Sequence, residues 1–337
     1  MKQFRTCYVV LALQMILAWS AHAEPPADIF DANARLGRGI NIGNALEAPE
    51  EGAWGVRLKV EYFTAIKKAG FDTVRLPVRW SAHAKADAPY TIDAKFAERV
   101  DWAVDQAIAN GLNIIVNVHH YDEMNIHPEE NLPRLEALWR QLAARYKNSP
   151  TGVYFELLNE PHDKLTETKW NAAIPKLLAA VRETNPTRPV IVGPGRWNGI
   201  SALDRLELPK DDHHLILSVH FYDPFEFTHQ GARFVKGADK WKGRPWTGTD
   251  AERAAITKPL QKAAAWAKLH ERPVFLGEFG VYQEADMPSR ARWARFVARE
   301  AERLKFSWAY WEFCAGFGAY DPKADCWRDA LKSALID

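Results

Sequence analysis

The sequence predicts an α/β fold, a single-domain (β/α)8 TIM barrel. Three observations point there. Eight short apolar runs recur along the chain, amphipathic helical patterns lie between most of them, and no linker, low-complexity tract or repeat divides it. At 337 residues and 47% hydrophobic, the chain can close a barrel around one sizeable core.

Residues 1–23 have the pattern of a signal peptide. Lys2 and Arg5 give a positive start, Cys7 to Trp19 is almost unbrokenly apolar, and Ala21-His22-Ala23 is a small-x-small cleavage site. The apolar run is short for a membrane span. The expectation is a secreted or periplasmic protein whose single domain covers residues 24–337, with no membrane association after cleavage.

The apolar runs are Gly39–Ile42, Thr73–Val78, Leu112–Val118, Val153–Leu158, Pro189–Val192, Leu215–Val219, Pro273–Leu276 and Phe306–Tyr310. Between them, Phe96, Val100, Val104 and Ile108 recur at helical spacing, with Gly111 as the stop. Leu135, Leu138, Leu142 and Tyr146 form a second stripe, with Pro133 expected in its first turn. A third helix is expected from Asp250 to His270.

Composition narrows the partners. The net charge is +1 and no basic stripe stands out, so nucleic acid is not an implied partner. Nothing demands more than a monomer. The 14 tryptophans exceed what a core needs, and flat aromatic faces suit the apolar faces of sugar rings. Cys314 and Cys326 would remain after cleavage of the leader. An oxidising compartment would let them pair, two free thiols being the alternative. No cysteine or histidine cluster has zinc spacing.

In a (β/α)8 barrel, chemistry sits at the C-terminal strand ends. The fourth run leads into Asn159-Glu160-Pro161 and the seventh into Glu278. Burying an unpaired carboxylate is costly. Two of them at one barrel mouth have a use: one protonates a leaving oxygen, and the other attacks an anomeric carbon or activates water. Singly, Glu160 reads equally well as a helix-start residue and Glu278 as a solvated loop acid. Glu156 shares the strand face of Glu160 but lies lower, which suits a buried structural acid. Arg75, His119, His120, His220, Tyr222 and Trp311 end other runs. An arginine and a tyrosine beside a carboxylate keep it ionised, and a histidine beside an acid manages its proton.

Other chemistries lack their residues. The first strand reads Gly39-Ile-Asn-Ile-Gly-Asn44 where a metal-dependent hydrolase of this fold would place His-x-His. Neither Gly37–Gly43 nor Gly193–Gly199 has dinucleotide or phosphate-loop spacing, and no Gly-x-Ser-x-Gly occurs. Trp197 in the second cluster fits a cleft wall or a core equally well.

Taken in order, Gly39–Asn44, Val74-Arg-Leu-Pro-Val78, His119-His120-Tyr121, Leu158-Asn-Glu-Pro161, His220-Phe-Tyr222 and Gly277-Glu-Phe-Gly280 resemble glycoside hydrolase family 5. The set is most similar to its bacterial cellulase branch, the endo-β-1,4-glucanases, and runs from about Arg35 to the end. The resemblance implies retaining double displacement without metal or cofactor on a β-linked polysaccharide. It implies Glu160 as general acid/base and Glu278 as nucleophile. Asn159 would hold the sugar 2-hydroxyl, and Arg75 and Tyr222 the nucleophile. His119, His120 and His220 would line the catalytic subsite, with Trp311 as sugar platform. Mannan, xyloglucan and mixed-linkage glucan would use the same catalytic pair. A glycan-binding barrel is the non-enzymatic alternative, and its mark would be a replaced glutamate. The segment Asp223–Thr249, with Trp241 and Trp246, does not align with a typical family loop and leaves the cleft wall open.

Overall fold

Eight parallel strands close into a barrel in the computed structural model, which describes residues 28–337. The signal peptide expected at residues 1–23 lies outside the described residues. The strands are β1 (Arg38–Asn41), β2 (Thr73–Leu76), β3 (Asn113–Asn117), β4 (Val153–Glu156), β5 (Val190–Val192), β6 (Leu215–His220), β7 (Val274–Glu278) and β8 (Ser307–Tyr310). Each lies on one of the eight expected runs. They pair in sequence order, and β1 closes on β8 with Gly39 opposite Ala309. β7 continues past its apolar run to Glu278, where a register shift beside His220 sets these two residues opposite each other.

Helices follow most strands, and four of the loops offer a side-chain start signal. Asp93, Thr166, Thr249 and Asp286 accept backbone N–H bonds at four helix starts, and Thr249 forms a capping box with Glu252. One stretch departs from the expectation. The third-loop helix begins at Pro128, so Pro133 sits inside it and not in its first turn. Pro133 is exposed, so the carbonyl that loses its partner faces water. After β5 the chain makes a four-residue turn, Gly195–Asn198, and a 3₁₀ helix, Ile200–Arg205, before β6. Among the described residues, no helix is long and apolar enough to cross a membrane.

The barrel interior is layered. At the bottom, the helix Ile29–Leu36 acts as a plug, setting Ile29, Ala32 and Leu36 against Ile115, Tyr154, Ile191, Ile216, Phe275 and Ala309. The Tyr154 hydroxyl donates to the Ala32 carbonyl at 2.8 Å. Above this apolar layer, the interior carries Asn41, Arg75, Asn117 and Glu156, all fully buried. Buried charge is stable only when paired and hydrogen-bonded. The upper half of the barrel is therefore built as a polar scaffold.

The anticipated Cys314–Cys326 bridge is absent, and both cysteines are free. Cys314 is buried in the main core, whereas Cys326 is exposed on the two-stranded ribbon formed with Tyr320–Asp321. Six of the 14 tryptophans serve packing outright: Trp80, Trp139, Trp170, Trp246, Trp293 and Trp308 are fully buried. Trp246 is thereby removed from the cleft wall.

Candidate active site

The site is assembled from the polar layer upward. Arg75 on β2 is fully buried and committed to four partners. Its guanidinium donates to both Glu156 oxygens (2.6 and 2.9 Å), to Asn41 Oδ1 (2.9 Å), to Glu278 Oε1 (2.7 Å) and to Asn159 Oδ1 (2.6 Å). This planar fork fits the donor geometry of arginine and would not fit lysine. Glu156 is the structural acid the strand pattern implied, holding Arg75 from below. Replacing it by glutamine, Glu156→Gln, leaves a buried guanidinium short of one counter-charge. The expected loss of unfolding free energy is about 3–5 kcal/mol, measured by urea denaturation.

Glu278 and Glu160 face each other above that scaffold. A carboxylate oxygen of each, together with a ring nitrogen of His220, lies within 4.8 Å of the others. Their surroundings differ. Glu278 is buried, accepts from Arg75, and accepts from the Tyr222 hydroxyl at 2.8 Å. Burial, with Glu160 adding to it, leaves its carboxyl raised, and His220, Arg75 and the Tyr222 bond oppose that rise. Glu160 keeps 24% of its side chain exposed and contacts no cationic group directly. Desolvation pushes it up to about 7, the more distant Arg75 and His162 opposing. The Arg75 cation and the Tyr222 hydroxyl at Glu278, with no such partners at Glu160, favour the charge on Glu278 and the proton on Glu160.

The histidines are held neutral. His220 Nδ1 lies 2.7 Å from Glu160 Oε1 and 3.7 Å from Glu278 Oε2. Burial lowers its pKa to about 4, against the raising effect of Glu278. His119 is buried beneath Trp311, their rings parallel at 5.9 Å, and Asn117 bonds its Nδ1. Burial lowers it well below the ordinary histidine range, with the neighbouring His120, Arg75 and His220 acting in the same direction. Trp311 reaches across to Gly43, where an added Cβ would meet its ring at 2.8 Å; only glycine permits that approach. His120 takes φ +49° and turns toward Trp54, edge-on at 5.6 Å. It belongs to the wall of the cleft and does not touch the carboxylates.

Glu160, His220 and Glu278 are also the one group of potential metal ligands among the described residues. They do not fit a resident ion. Arg75, a fixed cation, already contacts Glu278, and His220 and Tyr222 already bond the two carboxylates.

Several residues at the site were not singled out from sequence. Asn41 and Asn117 support Arg75 and His119, and their signal was an uncharged polar residue inside an apolar strand. Trp197 is 51% exposed and stacks on His162 at 4.9 Å, so the cleft reading of Trp197 holds and the core reading does not. In the loop after β6, Phe225 stacks on His229 at 4.0 Å, and Phe234 stands 68% exposed nearby. Aromatic rings thus flank the carboxylates on two sides.

The cellulase family, glycosyl hydrolase family 5, matches residues 38–316, and the chain belongs to that family. Endoglucanase H of Acetivibrio thermocellus is 37% identical over 285 residues, covering 85% of this chain and 30% of its own. The cellulase/esterase CelE of the same organism is 29% identical over 89% of this chain and 37% of its own. The chain thus spans about a third of the length of these two curated relatives. Among solved structures, Thermotoga maritima Cel5A in complex with mannotriose is 48% identical, with a TM-score of 0.90 over 92% of this chain and all of that one. The Clostridioides difficile cellulose synthase subunit Z is 38% identical, with a TM-score of 0.87 over 90% of this chain and 100% of that one.

Proposed function

We propose that the protein is a retaining endo-β-1,4-glucanase in which Glu278 is the nucleophile and Glu160 the general acid/base. The observation that carries this reading is the asymmetric pair. Two carboxylates bring an oxygen each within 4.8 Å of one another, closer than the gap inverting enzymes keep, with one held by Arg75 and Tyr222 and the other raised to about 7. Inverting hydrolysis needs a gap of about 6.5–9.5 Å to admit water.

The steps follow from these positions. Glu278 attacks the anomeric carbon as Glu160 gives its proton to the departing oxygen, which takes the bonding electrons. A glycosyl ester on Glu278 results. Its formation removes the negative charge beside Glu160, whose pKa falls, so Glu160 next takes a proton from water. That water forms the new bond to the anomeric carbon, and the ester electrons return to Glu278. Asn159 Oδ1 is committed to Arg75, which leaves its Nδ2 to donate to the sugar 2-hydroxyl. Trp311 offers the platform for the same ring, with His119 behind it.

The leader at residues 1–23 supports export, and we propose that the mature enzyme acts as a monomer in the periplasm or outside the cell. β-Mannan is the second substrate to weigh. It differs from β-glucan at the 2-hydroxyl, and a 48% identical relative has been solved with mannotriose. Initial rates of reducing-sugar release on carboxymethyl cellulose, barley β-glucan, glucomannan and xyloglucan test the reading. Turnover on the first two is expected, and silence on every β-1,4-glucan would end it.

A further inference from the structure

Three successive residues after β5, Arg196, Trp197 and Asn198, all adopt left-handed backbone (φ +53°, +57° and +53°), and none is glycine. Such conformations cost energy and persist where the surroundings enforce them. The enforced result is the placement of Asn198. Its side chain is fully buried and lies where a Cβ on Gly193 would sit, with the Asn198 oxygen only 2.1 Å from that point. The next residue, Gly199, bridges to the backbone of His220.

Asn198 makes two side-chain contacts through Nδ2: the Asn159 carbonyl at 2.5 Å and His220 Nε2 at 3.3 Å. A backbone carbonyl only accepts, so the first contact fixes which end of the amide is nitrogen. The second N–H then points at His220 Nε2, which must accept. The imidazole proton therefore resides on Nδ1, where it donates to Glu160 Oε1 at 2.7 Å. Glu160 Oε2 has no hydrogen-bond partner among the described residues. A proton on Glu160 is displaced from the oxygen that already receives one and sits on Oε2, open to the cleft.

We propose that Asn198 is a positioning residue for proton transfer: it locks His220 as the neutral Nδ1–H tautomer and so directs the Glu160 proton to Oε2. The inference rests on Glu160 being the acid/base. The charged and titratable groups around His220 are Glu160 and Glu278 in front, Arg75 and Glu156 below, and His119 and Tyr222 alongside. None of them offers Nε2 a hydrogen bond in place of Asn198.

Two experiments test this. Nitrogen NMR of histidine-labelled enzyme should show His220 protonated at Nδ1 and bare at Nε2; a protonated Nε2 in the native enzyme overturns the proposal. This readout concerns the tautomer alone and does not depend on which glutamate is the acid. Asn198→Asp keeps the shape but puts an acceptor against Nε2, which then gains a proton. The His220 cation favours ionised Glu160, so the basic limb of the kcat profile should move to lower pH. At neutral pH, kcat should fall by about tenfold or more while KM stays within about twofold. Asn198→Gly suits the backbone and removes the lock, and should lose kcat several-fold with both His220 tautomers populated. A native pH profile and native kcat in Asn198→Asp would also overturn the proposal.

Discussion

Glu278→Gln is expected to abolish glucan hydrolysis, by at least about 10⁴-fold in kcat, equivalent to about 5.4 kcal/mol of transition-state stabilisation. The fold should survive. The amide oxygen can still accept from Arg75, and the amide nitrogen can donate to the Tyr222 oxygen, so the only cost is that the Tyr222 hydroxyl proton must turn to another acceptor. What is lost is the charge and the lone pair that form the bond. Glu278→Gly gives a sharper reading of the same role. It opens a cavity beside Arg75 that a small anion such as azide can fill. Azide then attacks from the face Glu278 occupied and yields the α-glycosyl azide from a β-linked substrate. Proton NMR of the product decides the matter. Recovery of the β-azide, or native turnover by Glu278→Gln, would remove Glu278 from the nucleophile's role.

The strands and the strand-end residues were legible because both obey local rules. A strand buried on both faces must be a short apolar run, and a polar residue at its end has few places to go except the barrel mouth. Arg75, Asn159, Glu160, His220, Tyr222 and Glu278 satisfy that rule and converge. What sequence could not show depends on where loops travel. Asn198 follows a strained turn, and its meaning exists only because that turn folds back onto β6. Glu47 and Glu312 look like loop acids, yet both are buried. Glu47 accepts from the Ala45 and Asn44 amides, and Glu312 from those of Cys314, Ala315 and Phe317. Burial pushes them to about 8 and about 7 despite these bonds. They brace the loops that follow β1 and β8, the second of which carries Trp311. The plug helix had a visible stripe in Ile29, Ala32 and Leu36, but nothing local says that it closes the barrel floor. The two cysteines stay apart for a related reason: proximity in sequence does not say that one thiol enters the main core while the other lies exposed on the ribbon.

Glu160→Ala should separate substrates by their leaving groups. A sugar departing from cellotetraose needs a proton, so its kcat/KM should fall by about 10²–10⁴-fold. A dinitrophenyl cellobioside departs as a stable anion and should keep most of its glycosylation rate. Its ester on Glu278 should then accumulate, because no base activates the water that hydrolyses it. The pH dependence follows with a definite sign. Glu160 must be protonated for the first step and is raised to about 7, mainly by desolvation. The native kcat/KM on unactivated glucan should therefore fall as pH rises through about 7, and that limb should vanish in Glu160→Ala. Azide again reports geometry. In this variant it enters on the opposite side of the sugar from Glu278 and gives the β-glycosyl azide. One anion giving opposite anomers in the two variants would fix the faces of the ring on which the two glutamates stand. Equal losses on both substrates, with the basic limb intact, would place the acid on another residue.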